Sequence, residues 1–348
     1  MKIAFILPRL VNQGPIVVAK DIIDSIKDKV DLIDVYYFDD IRELSIDCNL
    51  YKISFFDKID FDKYDVVHSH MLRPDFYIWF HRKKTHNKTL FVSTLHQNIY
   101  DNLKGNYSSF VAFVFEKLWL RFLKKHDVVV TLTNVMKDYY SKKIKLNLKT
   151  IYNGRNVKTE NTDITSDADL KLLYETKSKY KIIGSHCLLT KRKGIDQIIR
   201  SLVFLKEFAL VIVGDGQELL NLKALADECH VSERCFFLGY KHNAVSYLKY
   251  FDIYVMSSYS EGFPLGLLEA GLNKLPVVCS DIPIFRELFS EKEVSFFELD
   301  NIDSLSKSIQ ICYENRFLFS QYLYDTINEK YSNDKMAENY MLLYQNCF

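Results

Sequence analysis

The chain has 348 residues, of which 48% are apolar, and it carries a formal net charge of +1. This length allows two domains with separate cores, and the apolar content excludes a disordered protein. The near-zero charge argues against a general nucleic-acid-binding protein, which needs a strongly basic surface, so we expect no nucleic-acid partner.

The positions of charges and cysteines indicate the partners and the cellular compartment of the protein. Residues 1–152 hold 24 Lys+Arg and 18 Asp+Glu (+6), whereas the remainder holds 22 and 27 (−5), which suggests different partners for the two halves. The 7 cysteines are scattered, as expected for reduced cytosolic thiols. The first apolar run, "KIAFIL", is too short for a signal peptide, and no run is long enough to span a membrane. The sequence therefore predicts a cytoplasmic protein.

Short apolar runs alternate with segments of helical period along the front half. The runs are "KIAFIL" (2–7), "DLIDVYYF" (31–38), "YDVVHSH" (64–70), "TLFVSTLH" (89–96), "HDVVVTLT" (126–133) and "LKTIYN" (148–153). Several are almost continuously apolar, which is typical of parallel strands covered on both faces.

The back half repeats this pattern after a polar stretch. Its strand candidates are "YKIIGSHCLL", "FALVIVG", "RCFFLGY", "DIYVMSS", "LPVVCS" and "VSFFEL". We predict an α/β fold with two Rossmann-like doubly wound domains facing across a cleft: residues 1–154, a linker at 155–170, and residues 171–330. Ligands of such folds bind outside the carboxyl ends of the strands.

The segment "SEGFPLGLLEAG" (260–271) follows one of these strands. Pro264 suits the first turn of a helix, and free backbone N–H groups near Leu265 and Gly266 would then donate hydrogen bonds to a phosphate. Gly262 and Gly266 would let the ligand approach the backbone closely.

The same segment carries two carboxylates, Glu261 and Glu269. Eight helical residues rise about 12 Å, which is too far for both to act on one glycosidic bond. They could instead hold the two ends of an elongated ligand, with a ribose at Glu269, a diphosphate at the helix start and a polyol near Glu261. That ligand is a nucleotide-sugar. The alternative is an amphipathic helix with solvated glutamates.

Two glycine-containing turns lie in the same half. In "LLTKRKGID" (188–196), Lys193 precedes Gly194 between a strand and a helix, where a lysine can reach a phosphate; the alternative is an ordinary basic turn. "VIVGDGQEL" (211–219) fails as a dinucleotide fingerprint because Leu219 occupies the third glycine position.

Taken in order, these segments resemble the family-four retaining glycosyltransferases of the GT-B architecture. The resemblance covers essentially the whole chain and rests on "IYNGRN", "KRKGID", "VIVGDG", "FFLGY", "SEGFPLGLLEAG" and "LPVVCSDIP". It implies transfer of a hexose or N-acetylhexosamine from a nucleotide-sugar, with UDP the expected nucleotide, to a glycan or lipid-linked glycan acceptor in surface polysaccharide biosynthesis. It also implies that the last segment, 331–348, crosses back to the N-terminal domain.

The resemblance assigns roles to particular residues. Glu261, Lys193 and His96 would be the catalytic residues: Glu261 faces the donor sugar and distal phosphate, Lys193 neutralises the leaving diphosphate, and His96 lines the sugar pocket. The remaining positions would bind the donor: Glu269 at the ribose, Tyr240 beside the base, Gly14 in a phosphate-covering loop, and the backbone of Gly262, Phe263, Pro264, Leu265 and Gly266.

No aspartate cluster typical of a metal-dependent diphosphate site stands out, and the helix start together with Lys193 can replace a metal ion, so we expect no metal and no cofactor. In similar enzymes the acceptor attacks the face from which the leaving group departs, without a covalent enzyme nucleophile. The chain has Cys187 and Leu188 where the family usually has an arginine, and Lys191 and Arg192 are the candidates for that charge. Two other interpretations stay open: a nucleotide-sugar epimerase on the same fold, and a non-catalytic partner subunit of a glycosyltransferase.

Two further signals have competing interpretations. His68 and His70 in "VVHSH" have a spacing that could ligate a metal, although no third ligand is near in sequence. The aromatic and basic segments 73–88 and 110–125 could dock on an anionic membrane surface, giving a peripheral protein on the inner face of the plasma membrane. We favour the alternative for both segments, namely core helices with cations at their C-terminal ends.

Overall fold

A computed structural model of the chain describes residues 1–83, 88–104, 107–156, 164 and 166–346. The chain forms two compact units. Unit 1 combines Met1–Arg155 with Tyr331–Phe348, and unit 2 comprises Asn156–Lys330. Each unit is built from parallel strands joined by helices, which confirms the predicted α/β class.

The strands are numbered in chain order. They are β1 Lys2–Leu7, β2 Leu32–Tyr37, β3 Asn49–Lys52, β4 Val66–His70, β5 Leu90–Leu95, β6 Val128–Thr131, β7 Leu148–Thr150, β8 Lys181–His186, β9 Phe208–Val213, β10 Cys235–Phe237, β11 Ile253–Met256, β12 Val277–Ser280 and β13 Ser295–Phe297.

The helices are numbered in the same way. They are α1 Gly14–Ile26, α2 Leu72–His81, α3 Ile99–Lys104, α4 Ser109–Leu123, α5 Asn134–Ser141, α6 Asp167–Lys177, α7 Ile195–Ser201, α8 Leu219–Glu228, α9 Leu265–Leu272, α10 Pro283–Leu288, α11 Ile302–Glu314, α12 Arg316–Lys330 and α13 Asn333–Gln345.

The strand order of each sheet defines where a ligand can bind. Unit 1 has the order β3-β2-β1-β4-β5-β6-β7, and unit 2 has the order β10-β9-β8-β11-β12-β13. Successive strands are added outward in one direction from β1 or β8 and in the other direction from β4 or β11. The order therefore reverses between β1 and β4 and between β8 and β11, and such a switch point opens a crevice at the carboxyl ends of the strands.

Buried aliphatic strands explain why these segments form sheet centres. All six residues of β9 are buried, as are all six of β5. In unit 2, side chains such as Ile183, Leu210 and Val255 share one core with residues of α7 and α11. Strands covered on both faces lose their period-2 alternation, which is why continuous apolar runs predicted them.

Strand β3 was not predicted. None of its four residues is buried, and it pairs only with β2 at the edge of the sheet of unit 1. A short exposed edge strand has no apolar run by which to recognise it.

The predicted linker, 155–170, extends too far. Residues 157–163 and 165 lie outside the described residues, but the last four predicted linker residues belong to α6. The Ser166 hydroxyl accepts from the Asp169 N–H at 3.2 Å and caps the helix, and Asp167 and Asp169 suit its first turn. The sequence signal, a serine followed by acidic residues, was present.

After unit 2 the chain returns to unit 1 through α13. The Arg155 N–H donates to the Tyr331 carbonyl at 2.8 Å, so the outgoing and returning segments are hydrogen-bonded to each other. A Cβ at Gly154 would lie 2.1 Å from the Ser332 carbonyl oxygen, so glycine is required at this contact. Tyr340 and Tyr344 of α13 are fully buried in unit 1.

Candidate functional site

Three charged side chains meet at the switch point of unit 2. Lys193 Nζ donates to Glu261 Oε1 at 2.6 Å, and Arg192 Nη1 donates to Glu261 Oε2 at 3.2 Å. The Ser258 hydroxyl also donates to Oε1 at 2.6 Å. Both oxygens of the Glu261 carboxylate are therefore engaged by the protein, and its side chain is only 6% exposed.

The two cations determine the charge state of Glu261. Burial alone would raise its pKa, but the charges of Lys193 and Arg192 outweigh burial, so the pKa of Glu261 lies below its ordinary value. The carboxylate is ionised at neutral pH and holds both cations in place.

Backbone geometry positions the lysine. Residues Lys191–Lys193 form a short 3-10 turn after β8, and Gly194 ends it with φ +61° in the left-handed region. A Cβ at Gly194 would lie 2.2 Å from the Ser257 carbonyl oxygen. The Ser257 hydroxyl in turn donates to the Lys193 carbonyl at 3.0 Å. Only glycine fits here, which explains the Lys-Gly pair of the sequence.

Arg192 is the residue that brings the second positive charge to the site. Besides contacting Glu261, its Nη1 donates to the Ser260 carbonyl at 2.5 Å. Of the two candidates for the missing family arginine, Arg192 lies at the carboxylate, whereas Lys191 is exposed. Leu188, at the position of the usual arginine, is 67% exposed.

Glu269 lies on α9, after the neighbouring strand β11, and has a partner that the sequence analysis missed. His186 Nε2 and Glu269 Oε2 are 2.8 Å apart, and the residue Glu269 is 8% exposed. His186 is the last residue of β8. A histidine that ends a buried strand at a switch point was a usable signal, since such strand ends line the ligand site.

The start of α9 corrects the expectation that Pro264 lies in the first turn of the helix and leaves the Leu265 N–H free. Pro264 lies at the N-cap, one residue before the helix, with φ −86° and ψ 68°. These angles form an inverse γ-turn, in which the Leu265 N–H donates to the Phe263 carbonyl at 3.0 Å. The Leu265 N–H is therefore engaged, contrary to prediction. Within the described part of the chain, the Gly266 N–H makes no hydrogen bond and is the remaining donor at the start of this helix.

Gly266 also has a role within the protein, beside the close approach of a ligand, which stays a prediction. A Cβ there would lie 2.7 Å from the Tyr254 hydroxyl and 3.4 Å from His186 Cε1. Glycine leaves room for these two side chains, which lie close to its α-carbon. Gly262 is partly buried in the loop before α9, and Phe263 is buried.

Tyr240 follows β10, the edge strand of the sheet, and is 60% exposed. The adjacent Lys241 forms an ion pair with Asp169 at 2.6 Å, and the Tyr247 hydroxyl donates to the same carboxylate at 2.6 Å. Lys241 is thus held by α6, whereas the side chain of Tyr240 is exposed.

In unit 1 the predicted residues, Gly14 and His96, follow the carboxyl ends of strands in the sheet of that unit. Gly14 is the first residue of α1, which follows β1, so it begins a helix instead of lying in the predicted loop. Pro15 explains the difference, because proline is favoured in the first turn of a helix. His96 directly follows β5, as predicted.

His96 belongs to a cluster of histidines. His96 Nε2 and His70 Nδ1 are 2.8 Å apart, and the rings of His68 and His70 have centroids 4.3 Å apart. His68 contacts the Tyr344 hydroxyl at 2.7 Å and the Thr94 hydroxyl at 2.8 Å, so both of its ring nitrogens are occupied. His68 is therefore a core histidine, and among the described residues no group of three or more His, Cys, Asp or Glu side chains forms a metal-binding arrangement.

Burial keeps this cluster neutral. It lowers the pKa of His96 to about 3 and that of His68 and His70 well below the ordinary value of 6.5. The bond to His70 uses Nε2 of His96 and leaves Nδ1 without a hydrogen bond to the described residues. Unit 1 thus presents a neutral hydrogen-bonding group, whereas unit 2 presents charges.

Segment 110–125 is only in part the core helix that we favoured. Within α4, Ala112, Trp119, Leu120, Phe122 and Leu123 are buried, as expected for a core helix. Six apolar side chains of the same helix are exposed: Phe110, Val111, Phe113, Val114, Phe115 and Leu118. In the described part of the chain, no helix is both long and apolar enough to cross a bilayer.

Two family models match the chain, one in each half. Residues 49–159 match "Glycosyltransferase Family 4", and residues 173–330 match "Glycosyl transferases group 1". Two Rossmann-like sheets together with these matches define a glycosyltransferase of the GT-B architecture. The two matches support a glycosyltransferase of the family-four type, as the sequence motifs predicted.

Individual relatives agree with this assignment. The chain is similar to the O-antigen biosynthesis glycosyltransferase WclY of Escherichia coli, with 26% identity over 100% of this chain and 99% of the relative. It is 32% identical to an N-acetylgalactosaminyltransferase of Campylobacter jejuni, named for a diphospho-undecaprenol acceptor, over 44% of this chain and 42% of the relative.

Solved structures share the fold at low identity. HepE of Anabaena, solved with UDP and glucose, superposes with a TM-score of 0.81 at 16% identity over 99% of this chain and 100% of HepE. Sucrose-phosphate synthase of Thermosynechococcus elongatus gives a TM-score of 0.79 at 15% identity over 100% of this chain and 99% of that one.

Proposed function

We propose that the chain is a retaining glycosyltransferase that moves a hexose or N-acetylhexosamine from a nucleotide-sugar, with UDP the expected nucleotide, to a glycan or lipid-linked glycan in surface polysaccharide biosynthesis. The observation that carries the proposal is the meeting of Lys193, Arg192 and Glu261 at the switch point of unit 2, with Glu269 on the next helix. The names of the E. coli and C. jejuni relatives support the acceptor class.

The charge of this cluster suits a leaving diphosphate. Lys193 and Arg192 contribute +2 and Glu261 contributes −1, which leaves +1. A lysine has three N–H donors and an arginine has five, so both cations retain donors beyond those that contact Glu261. Breaking the anomeric bond develops negative charge on the phosphate, and preorganised donors stabilise that charge without reorganisation. The proposed stabilisation therefore comes from side chains and the Gly266 N–H, without a metal ion or cofactor.

Glu269 is the proposed ribose-binding residue. A carboxylate can accept hydrogen bonds from the two vicinal hydroxyls of a ribose. His186 contacts one carboxylate oxygen at 2.8 Å and fixes the orientation of the group. Tyr240, exposed at the edge of the sheet, is proposed to contact the base.

Unit 1 is proposed to supply the neutral contacts. His96, through Nδ1, would bind a hydroxyl of the donor sugar, and Gly14, at the start of α1, would approach the phosphates with its backbone. The acceptor hydroxyl attacks the anomeric carbon from the face that the diphosphate leaves, and a phosphate oxygen takes its proton. Because attack and departure take place on the same face of the sugar ring, the sugar keeps its anomeric configuration, and no enzyme nucleophile is required. Because the proposed acceptor is lipid-linked, we place the reaction at the inner face of the plasma membrane.

The ribose assignment can be tested with Glu269→Ala. Charge-assisted hydrogen bonds are worth about 1.5–3 kcal/mol, so the affinity for UDP should fall about tenfold to a hundredfold. Isothermal titration calorimetry with UDP measures the change, and Glu228→Ala, at an exposed position on α8, is the matched control. An unchanged UDP affinity in Glu269→Ala would refute the assignment.

The reaction type has its own readouts. Incubation with UDP-sugars in the absence of acceptor should release free sugar and UDP slowly, and an isomerised sugar would instead identify an epimerase. NMR of a transferred product should show the anomeric configuration of the donor. An inverted product would contradict the retaining mechanism.

A further inference from the structure

Helix α4 of unit 1 carries an exposed apolar face that its own fold leaves uncovered. Phe110 is 76% exposed, Phe113 45%, Val114 46% and Leu118 45%. At 100° per residue, Phe110, Val114, Leu118 and Val111 lie on one side of the helix, opposite Ala112 and Trp119, which are buried. Exposed apolar patches of this kind mark interaction surfaces.

Cations border this face. Lys117, Arg121 and Lys124 are exposed, and they follow the same side of the helix as Phe110. Lys117 Nζ lies 4.3 Å from the ring centroid of Phe113. The surface therefore combines aromatic and aliphatic side chains with positive charge.

The acidic residue of α4 is turned away from this face. Glu116 is 2% exposed and accepts from Lys143 Nζ at 2.5 Å and from the Tyr139 hydroxyl at 2.7 Å. No other residue of Ser109–Leu123 is acidic. The exposed side of α4 itself thus carries positive charge alone. Asp101 of α3 also lies beside Phe110 and Phe113, but the three cations of the helix outnumber it, so the surface is complementary to an anionic partner.

We propose that the exposed face of α4 docks on an anionic lipid bilayer surface. An amphipathic helix with basic and aromatic residues lies in the interface plane, with its apolar side at the boundary between headgroups and acyl chains. At 15 residues, α4 is too short to span a bilayer. The proposal deepens the proposed function, on which it rests, because a bound bilayer would present a lipid-linked acceptor to unit 1.

Self-association is a poorer match for the same surface. In a two-fold dimer each patch meets its own copy, so the cations of one α4 would face the cations of the other. The like charges would oppose the apolar attraction, whereas anionic headgroups satisfy both properties of the face.

Vesicle sedimentation of the full chain tests the proposal. The chain should sediment with vesicles of phosphatidylcholine mixed with phosphatidylglycerol, and less with pure phosphatidylcholine. Binding should weaken as salt rises. The double variant Phe110→Ser with Val114→Ser should bind at least about tenfold more weakly. Phe317→Ser on α12 is the matched control, because Phe317 is also 76% exposed, and it should bind like the parent.

A charge variant provides a second test. Lys117→Gln with Arg121→Gln should lose about fivefold in binding for each cation, whereas Lys223→Gln, at an exposed position on α8, should lose nothing. Each of three results would overturn the proposal: no sedimentation with anionic vesicles at low salt, equal losses in the Phe317 or Lys223 controls, or a dimer that the α4 variants dissociate without affecting vesicle binding.

Donor hydrolysis in solution separates this proposal from the proposed function. The α4 variants should hydrolyse a UDP-sugar at the parent rate, because none of the changed residues lies at the donor site. Vesicle binding without any transferase activity would leave the docking surface intact and reject the enzyme assignment.

Discussion

The two units have sheets of the same kind but carry different side chains at the carboxyl ends of the strands. In unit 2 the carboxyl ends of β8 and β11 are followed by a charged set, with Glu261 between Lys193 and Arg192. In unit 1 the end of β4 and the residue after β5 form a neutral set of histidines. The shared fold therefore gives each unit a crevice at the carboxyl ends of its strands, and the side chains at those strand ends decide which chemical groups each crevice can stabilise.

Removing the lysine of the charged set should have the largest effect. Lys193→Ala should lower kcat for donor cleavage about a hundredfold to a thousandfold, the usual loss for one preorganised donor to developing negative charge. Release of UDP in a coupled assay measures the rate. Lys191→Ala is the control, because Lys191 is exposed two residues away in the same turn. Equal losses in the two variants would show that Lys193 has no particular role.

The neutral set should make unit 1 sensitive to acid. The pKa of His96 is about 3 in the folded chain, against an ordinary value of 6.5, so the unfolded chain binds more protons between these values. The stabilisation that comes from the neutral His96 is therefore fully present above pH 6.5, and it is lost as the pH falls toward 3. For His96 the loss from pH 7 to pH 5 is about 2 kcal/mol, and burial of His68 and His70 acts in the same direction.

A second buried pair contributes little to that pH dependence. Burial raises the pKa of Asp75 to about 6 and lowers that of His126 to about 3, and the two opposite effects largely offset each other between pH 4 and 6.

Tryptophan fluorescence measures this prediction selectively. The chain contains 2 tryptophans, Trp79 and Trp119, and both lie in unit 1. Urea unfolding followed by fluorescence should show a lower midpoint at pH 5 than at pH 7, and His96→Asn should reduce the difference. Equal midpoints for the parent at the two pH values would contradict the assigned neutral cluster.

The smallest effect is expected at the sugar contact. His96→Ala removes one neutral hydrogen bond, so kcat/KM should fall about twofold to tenfold, with UDP affinity unchanged. His70→Ala removes the partner of His96 Nε2 and should lower kcat/KM less than His96→Ala does. If either variant weakened UDP binding as strongly as Glu269→Ala, the division of roles between the units would be wrong.

The fold could be read from the sequence because its strands are buried on both faces. Twelve of the strands coincide with predicted apolar runs, and only the exposed β3 was missed among the described residues. The motif order also located Glu261, Lys193 and Glu269 on the loops and helix that surround one switch point.

The contacts between these residues could not be predicted. Glu261 and Lys193 are 68 positions apart in sequence, and their ion pair depends on how the turn at Gly194 packs on Ser257. The role of Pro264 depended on one backbone angle, since a ψ of 68° makes a γ-turn where a helical value would have begun the helix. For α4 the sequence offered both a docking surface and a core helix and could not decide between them, because the exposed residues of this helix are as apolar as those of a core helix.

The return of the chain through α13 reverses the order in which the two units can be completed during synthesis. Unit 1 begins with the first strand to leave the ribosome, yet Tyr340 and Tyr344, which contact Thr94 and His68, are made after the whole of unit 2. Until they arrive, the polar groups of Thr94 and His68 lack these partners. Unit 2 is therefore the first unit whose residues are all synthesised, and unit 1 can be completed only after α13 has been made.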